Sequence, residues 1–483
     1  MPTLLWRGIN TSAVKFKRIF MSQHQHYRHL ALIAAMALFM QSLDATILNT
    51  ALPAISASLN ESPLEMQMTI ISYSLTVALF IPLTGWIADK YGTLNVFRAA
   101  VGIFVLGSVA CAMANSLNAL IWSRILQGMG GALMMPVARL TIIRNVPKTQ
   151  LVAAWNAMAM AGLIGPVLGP IVGGWLVTHA TWHWIFLINI PIGVLGILFA
   201  GRYMPNSTGK INKLDWRGFI LFAGGLAGVT LGLDLLSEER VNPGITTAIL
   251  SVGFISFLLY YYYAKRAQNP LLPLNVFQVR TFRIGMIANI FIRLTASGIP
   301  FLMPLMLQLV FHYSADIAGW LLAPIALSSI ITKSFAGKVL AHFGYKTTLI
   351  STALSMTLAV VAMSLLHQHT GLWLLVCILA WYGCCMSIIF TAINTLTVCE
   401  LSDHNASTGA TYLSVIQQVG ISIGIAVSAV ILDCYRHVIG EQGEQLQQAF
   451  SYTFLTSALF GIALLWTLLY LKKSDGAGNF HQK

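Results

Sequence analysis

The sequence predicts an all-α polytopic membrane protein with fourteen transmembrane helices, two six-helix halves separated by two inserted helices. Three observations carry this. Only 9% of the 483 residues are charged and 57% are apolar, whereas a soluble protein carries roughly 25% charged residues. Apolar runs of about the 20 residues that a bilayer crossing needs recur along the whole chain. Finally, the pattern Gly-x6-Gly, closed by an aromatic residue and glycine, occurs at 85–92 and again at 337–344, after the second run and after the tenth.

A basic tail, 1–28, comes first. It holds Arg7, Lys15, Lys17, Arg18 and Arg28, and no short apolar region with a small-residue cleavage site follows them, so it reads as a cytoplasmic tail and not as a removable signal. Met21 is an alternative start that still keeps Arg28 ahead of span 1. Spans 1 to 6 (29–52, 67–88, 96–114, 118–141, 151–176 and 184–203) make an N-terminal bundle over 29–203. Polar connections at 204–216 and 265–281 bracket spans 7 and 8 (217–236 and 243–264), which makes 204–281 an insert. Spans 9 to 14 (282–311, 315–336, 346–366, 371–394, 408–432 and 450–471) make the C-terminal bundle, 282–471, with a third polar connection over 433–449 and a tail over 472–483. The repeated Gly-x6-Gly loops fall at equivalent places in the two bundles, and repeated halves are how secondary transporters are built.

Charge placement gives the orientation. The net charge of +13 would suggest nucleic acid in a soluble protein, but 22 of the 28 Lys and Arg lie in alternate loops and tails, and the opposite loops hold only Arg240 and Arg436. The positive-inside rule then puts both termini in the cytoplasm, as in a multi-pass protein of a bacterial inner membrane. No G-x4-G-K-[ST] loop occurs, so ATP is not implied. No G-x-S-x-G or H-E-x-x-H appears either, and no segment outside the spans is long enough for a catalytic domain, so an enzyme is not expected. The six cysteines lie in or beside apolar runs without metal-ligand spacing, which argues for small buried hydrophobes and against a metal site or a cofactor.

Four basic residues, Arg124, Arg139, Arg293 and Lys333, and one deep acid, Asp44, fall inside spans. A carboxylate there costs about 3 kcal/mol on insertion scales, so Asp44 either makes a structural hydrogen bond to a neighbouring helix or serves function from a cavity. Counting helix rise, Asp44 lies roughly 13 Å and Arg124 roughly 9 Å below the same membrane face. A shared depth would let the arginine favour the charged acid until movement or substrate releases it, which is what proton coupling requires. Gln127, three residues after Arg124, could join the polar pathway. Asn49 points elsewhere on span 1 and reads as a helix–helix contact. Arg139 and Lys333 snorkel as anchors; Arg293, in mid-span, needs a counter-charge from another helix or from an anionic substrate. Asp234, Glu400, Asp403 and Asp433 fall at span ends and read as interfacial.

Several of these segments resemble the major facilitator superfamily, in particular its fourteen-helix drug:proton antiporter branch. Leu43-Asp-Ala-Thr-Ile-Leu-Asn-Thr-Ala-Leu-Pro53 is similar to that branch's L-D-x-T-I-V-N-x-A-L-P. Its loop 2–3 motif is matched by Gly85, Asp89 and Gly92, its helix 4 motif by 124–132, and its helix 5 antiporter motif by Gly165, Pro166, Gly169, Pro170, Gly173 and Gly174. The resemblance runs from about residue 28 to 471, including 182–193. Departures are Thr93, Leu94 and Asn95 in place of a basic pair, Ala341 in place of the second copy's acid, and His183 in place of a common arginine. The resemblance implies a monomer that exports small molecules against protons across the lipid bilayer by alternating access, as in multidrug efflux. Asp89 would hold the halves together when the inner side is closed, and the helix 5 motif would seal against ion leak. Export of an anionic metabolite or metal chelate is a second reading, carried by Arg293 and by the lack of deep acids in the second half. A non-transporting membrane sensor is a third.

Overall fold

The structure, a computed structural model, describes residues 3–63, 65–146, 148–209, 213–237 and 242–476, and of 3–28, 148–157, 159, 403 and 404 the backbone alone. The tail's basic side chains, Lys148, Lys210, Arg240, Asp403 and residues 477–483 therefore lie outside the described side chains. Among the described residues, thirteen continuous helices are long and apolar enough to cross a membrane. One of them, Ala315–Ser364, has 50 residues, more than twice what roughly 30 Å of hydrocarbon requires at about 1.5 Å per residue. It breaks at Gly344, whose φ of 73° and ψ of 168° lie outside the helical region. The crossings are therefore fourteen, as expected.

In chain order they are α1 (Thr3–Leu59), α2 (Gln67–Tyr91), α3 (Thr93–Ala112), α4 (Leu117–Asn145), α5 (Lys148–His179), α6 (Trp184–Tyr203), α7 (Trp216–Asp234) and α8 (Pro243–Arg266). There follow α9 (Arg280–Val310), α10 (315–343), α11 (345–364), α12 (Leu372–Cys399), α13 (Asp403–Ile439) and α14 (Gly443–Leu469). The polar connection expected over 433–449 is mostly helix, because α13 runs on to Ile439 and α14 begins at Gly443. Hydrophobicity stops at the hydrocarbon edge, whereas backbone hydrogen bonding does not, so helices outlast their apolar stretch. Exposed tryptophans stand near helix ends, among them Trp122, Trp175, Trp184, Trp216, Trp373 and Trp466, where amphipathic rings form interfacial belts.

The two repeated loops share a device. Gly92 and Gly344, their closing residues, both have positive φ, 86° and 73°, a region costly for residues with a Cβ. After Gly92 the chain is strapped to the segment following α6. Thr93 N donates to Ser207 O at 3.1 Å, Thr93 Oγ1 donates to Pro205 O at 3.0 Å, and Ser207 N donates to Thr93 Oγ1 at 3.1 Å. Thr93, the departure from the family's basic pair, is thus a buried clasp.

Small residues set the close helix pairs, as is usual in membranes. On α5, a Cβ at Gly165 would lie 2.6 Å from Ser42 Cβ, and one at Gly173 would lie 2.5 Å from Ile47 O, so α1 and α5 touch backbone to backbone. A Cβ at Gly174 would collide with Ala315 O of α10, and one at Gly319 with Pro170 O of α5. α7 and α8 meet in the same way, a Cβ at Gly228 lying 2.7 Å from Gly253 Cα. Asp234 is buried, not interfacial: it accepts from Gln67 Nε2 at 2.9 Å. Of the cysteines, Cys377 and Cys434 are exposed and Cys111 and Cys385 buried, so the expectation of six buried thiols holds only in part.

Candidate functional site

Five helices meet at Asp44. Its side chain is 1% exposed, and so is that of Arg124 on α4. Arg124 Nη1 donates to Asp44 Oδ2 at 2.7 Å, Gln127 Nε2 to Asp44 Oδ1 at 2.8 Å, and Asn189 Nδ2 of α6 to the same oxygen at 3.2 Å. Behind them, Ser108 Oγ of α3 accepts from Gln127 Nε2 at 2.8 Å and from Asn189 Nδ2 at 3.3 Å. Arg124 is itself held: Nε donates to Thr69 O at 3.0 Å, Nη1 to Gln127 Oε1 at 2.6 Å, and its guanidinium lies 4.3 Å from the Tyr73 ring centre. Close approach makes this possible, since a Cβ at Gly107 would lie 2.6 Å from Gln127 Cα and one at Gly131 2.7 Å from Tyr73 Oη. All three groups on the carboxylate are N–H donors. The cage therefore suits the deprotonated acid, which only accepts.

Beside this cage lies a cavity of about 840 Å³, within the usual range for small-molecule sites. Residues of α1, α2 and α4 form one wall and residues of α9, α12 and α13 the other. It reaches Thr84, Gly85, Ile143, Ala406 and Ser407, the end of the bundle where the Lys- and Arg-bearing loops lie. At the opposite end the halves touch: α5 meets α10 at Gly174 and Gly319, and Gln308 Nε2 of α9 donates to Thr50 O of α1 at 3.0 Å.

The structure sorts the expected residues. Asp44 and Arg124 come together, and Arg124 also lines the cavity, whereas Asp44 does not. Gln127, expected in the cavity, is fully buried in the cage instead: three residues along a helix is 60° short of a full turn, enough to aim it at the acid. Asn49, expected at a helix contact, borders the cavity. Arg293 lines the cavity, lies 4.3 Å from the Phe390 ring centre, and has no Asp or Glu within 4.0 Å among the described residues; its Nε has no hydrogen-bond partner. Asp89 Oδ1 pairs with Arg144 Nη2 at 2.5 Å, a contact within the N-terminal half. Gly165, Gly169 and Gly173 face α1, and Gly174 faces α10. Pro166 and Pro170 lie inside a helix that continues through them, and Thr50 Oγ1 reaches Pro170 O at 3.5 Å. Sequence reasoning missed Asn189, Ser108, Thr69 and Tyr73. Asn189 had one signal, a lone amide in the apolar run 185–192.

The profile of the Major Facilitator Superfamily matches residues 34–425. A Haemophilus influenzae protein bearing a transport-protein name, HsrA, is 63% identical over 450 residues, covering 93% of this chain and 97% of that protein. A protein of Escherichia coli O127:H6 bearing a multidrug resistance name, MdtD, is 41% identical over 438 residues, 89% of this chain and 92% of that one. Among solved structures, a D-xylose-proton symporter has a TM-score of 0.66 at 14% identity, covering 93% of this chain and 98% of the symporter.

Proposed function

This chain belongs to the major facilitator superfamily, and from that premise we propose that it is a proton-coupled antiporter that exports small organic molecules by alternating access. The observation that carries the reading is an acid met by three N–H donors and set beside a cavity whose described lining reaches one end of the bundle, while the halves touch at the other. Under the positive-inside rule the end that the lining reaches is the cytoplasm, so both termini are cytoplasmic and the conformation is inward-facing. An exporter needs its acid empty at that moment, because the proton has just been delivered inside and the solute is about to bind. Donors alone around Asp44 support that order. Arg124, shared between cage and cavity wall, is the element through which a solute or a rocking motion reaches the acid. The halves 29–203 and 282–471 move as bodies, with 204–281 as the insert and the single chain as the working unit. Asp89, paired with Arg144 while the mouth is open, is free to cross to the other half when it closes. The MdtD names favour a multidrug range of solutes, exported from the inner membrane of a bacterium.

The test uses inverted vesicles with an acid lumen and a pH-sensitive dye. A solute panel added outside should discharge the gradient through the wild type and not through Asp44→Asn. Discharge that survives Asp44→Asn would remove the acid from the mechanism.

A further inference from the structure

We infer that the solute is an organic anion whose acid group pairs with Arg293. The inference rests on the reading of the central cavity as the transport path and narrows what passes along it. The described residues lining the cavity include three arginines, Arg124, Arg139 and Arg293, and neither an aspartate nor a glutamate. Arg124 is already answered by Asp44. Arg293 is not: no carboxylate is in reach among the described residues, and its Nε is buried without an acceptor. A cation inside a membrane bundle without a counter-charge is expensive to keep and marks a place where an ion is received.

Its geometry is that of a receiver. The guanidinium carbon lies 4.3 Å from the centre of the Phe390 ring, within reach of a cation–π contact. Gly420 makes room for its stem, since a Cβ there would lie 2.6 Å from Arg293 Cγ. The planar guanidinium of an arginine can present two parallel N–H groups to a carboxylate or similar oxyanion. The walls beside it supply both surfaces an amphipathic acid needs. Met386, Phe301 and Ile421 offer apolar contact, and Gln417 and Gln418 offer amides. A permanently cationic drug finds no counter-charge on this wall and meets repulsion from Arg293.

The charge sign also changes the energetics. With one proton inward per turn, export of a monovalent anion moves two positive charges inward, whereas export of a monovalent cation moves none. An inside-negative membrane potential therefore drives the first and leaves the second unaffected.

The binding test takes the purified protein in detergent and titrates a panel of aromatic and aliphatic carboxylates led by 2-naphthoate, its neutral amide, and tetraphenylphosphonium. The wild type is expected to prefer naphthoate to the amide by ten-fold or more. Arg293→Gln should abolish that preference, and Arg293→Lys should restore part of it. Asp44→Asn should retain it, which separates this inference from the proton-coupling reading: coupled export that survives Asp44→Asn, with the acid preference kept, sinks only the latter. In the inverted vesicles, an imposed lumen-positive potential, the equivalent of a negative cytoplasmic side, should accelerate carboxylate uptake into the lumen. Equal affinity for acid and amide, preference for tetraphenylphosphonium, absence of binding by every carboxylate in the panel, or an unchanged preference in Arg293→Gln each overturns the inference.

Discussion

Arg124 meets Asp44 through one nitrogen, Gln127 through the same nitrogen, and the Thr69 carbonyl through another. A lysine has a single nitrogen for all of this, so Arg124→Lys is expected to lower stability although charge is conserved. Arg124→Ala strands a buried acid, at about 3–5 kcal/mol, and should yield little folded protein; equal melting temperatures for both variants and the wild type would contradict the cage. Asn189 is the subtler member. Its Oδ1 is buried without a partner while Nδ2 serves the carboxylate, so a turned amide would offer an acceptor to the protonated acid. Asn189→Leu is expected to leave solute binding in place and slow proton-coupled export roughly ten-fold, the equivalent of about 1.4 kcal/mol, near the lower limit for a hydrogen bond to a charged group. An unaltered rate and pH profile would reduce Asn189 to packing. Asp44 and Arg124 were legible because helix rise alone fixes depth. Asn189, Ser108 and Tyr73 were not, because which face of α6, α3 or α2 turns toward α1 is decided by packing between helices.

The α5 glycines act on two partners at different times. Gly169 meets Thr46 and the Ile47 backbone of α1, inside one half, so Gly169→Leu should cost about 1–3 kcal/mol of overpacking in any conformation, seen as a lower melting temperature. Gly174 meets α10 across the halves. Gly174→Val should instead leave the fold intact and open the closed end, read as faster hydrogen exchange in the facing ends of α5 and α10; unchanged exchange would show that contact to be incidental. Replacing Pro166 and Pro170 by Ala restores two donors, and proton leak or failed exchange in a folded protein is the expected result. Normal coupled export would return the motif to packing. At this scale the sequence was most informative where period and length sufficed: all fourteen crossings, and the paired turns ending at Gly92 and Gly344. It was least so beyond the hydrocarbon, where α13 continues as polar helix.

The whole molecule closes at one end through few polar contacts between halves. Gln308→Ala removes the bond to Thr50 O, worth about 1 kcal/mol, and should shift the balance between conformations roughly five-fold toward the one open at the far side, measurable as weaker affinity for solute offered from the cytoplasm. No change would mean that α5 and α10 alone hold that end.

The insert has a consequence for how the cavity is reached. α7 packs against both α2 and α13, is pinned to α2 by the Gln67 and Asp234 pair, and its chain leads through Leu272, whose carbonyl accepts from Tyr260 and Tyr412. α2 and α13 themselves meet along a seam. Here that seam is fenced. Among the described residues the cavity has no sideways opening along it, so a solute of the proposed exporter would enter on this flank through the cavity's mouth.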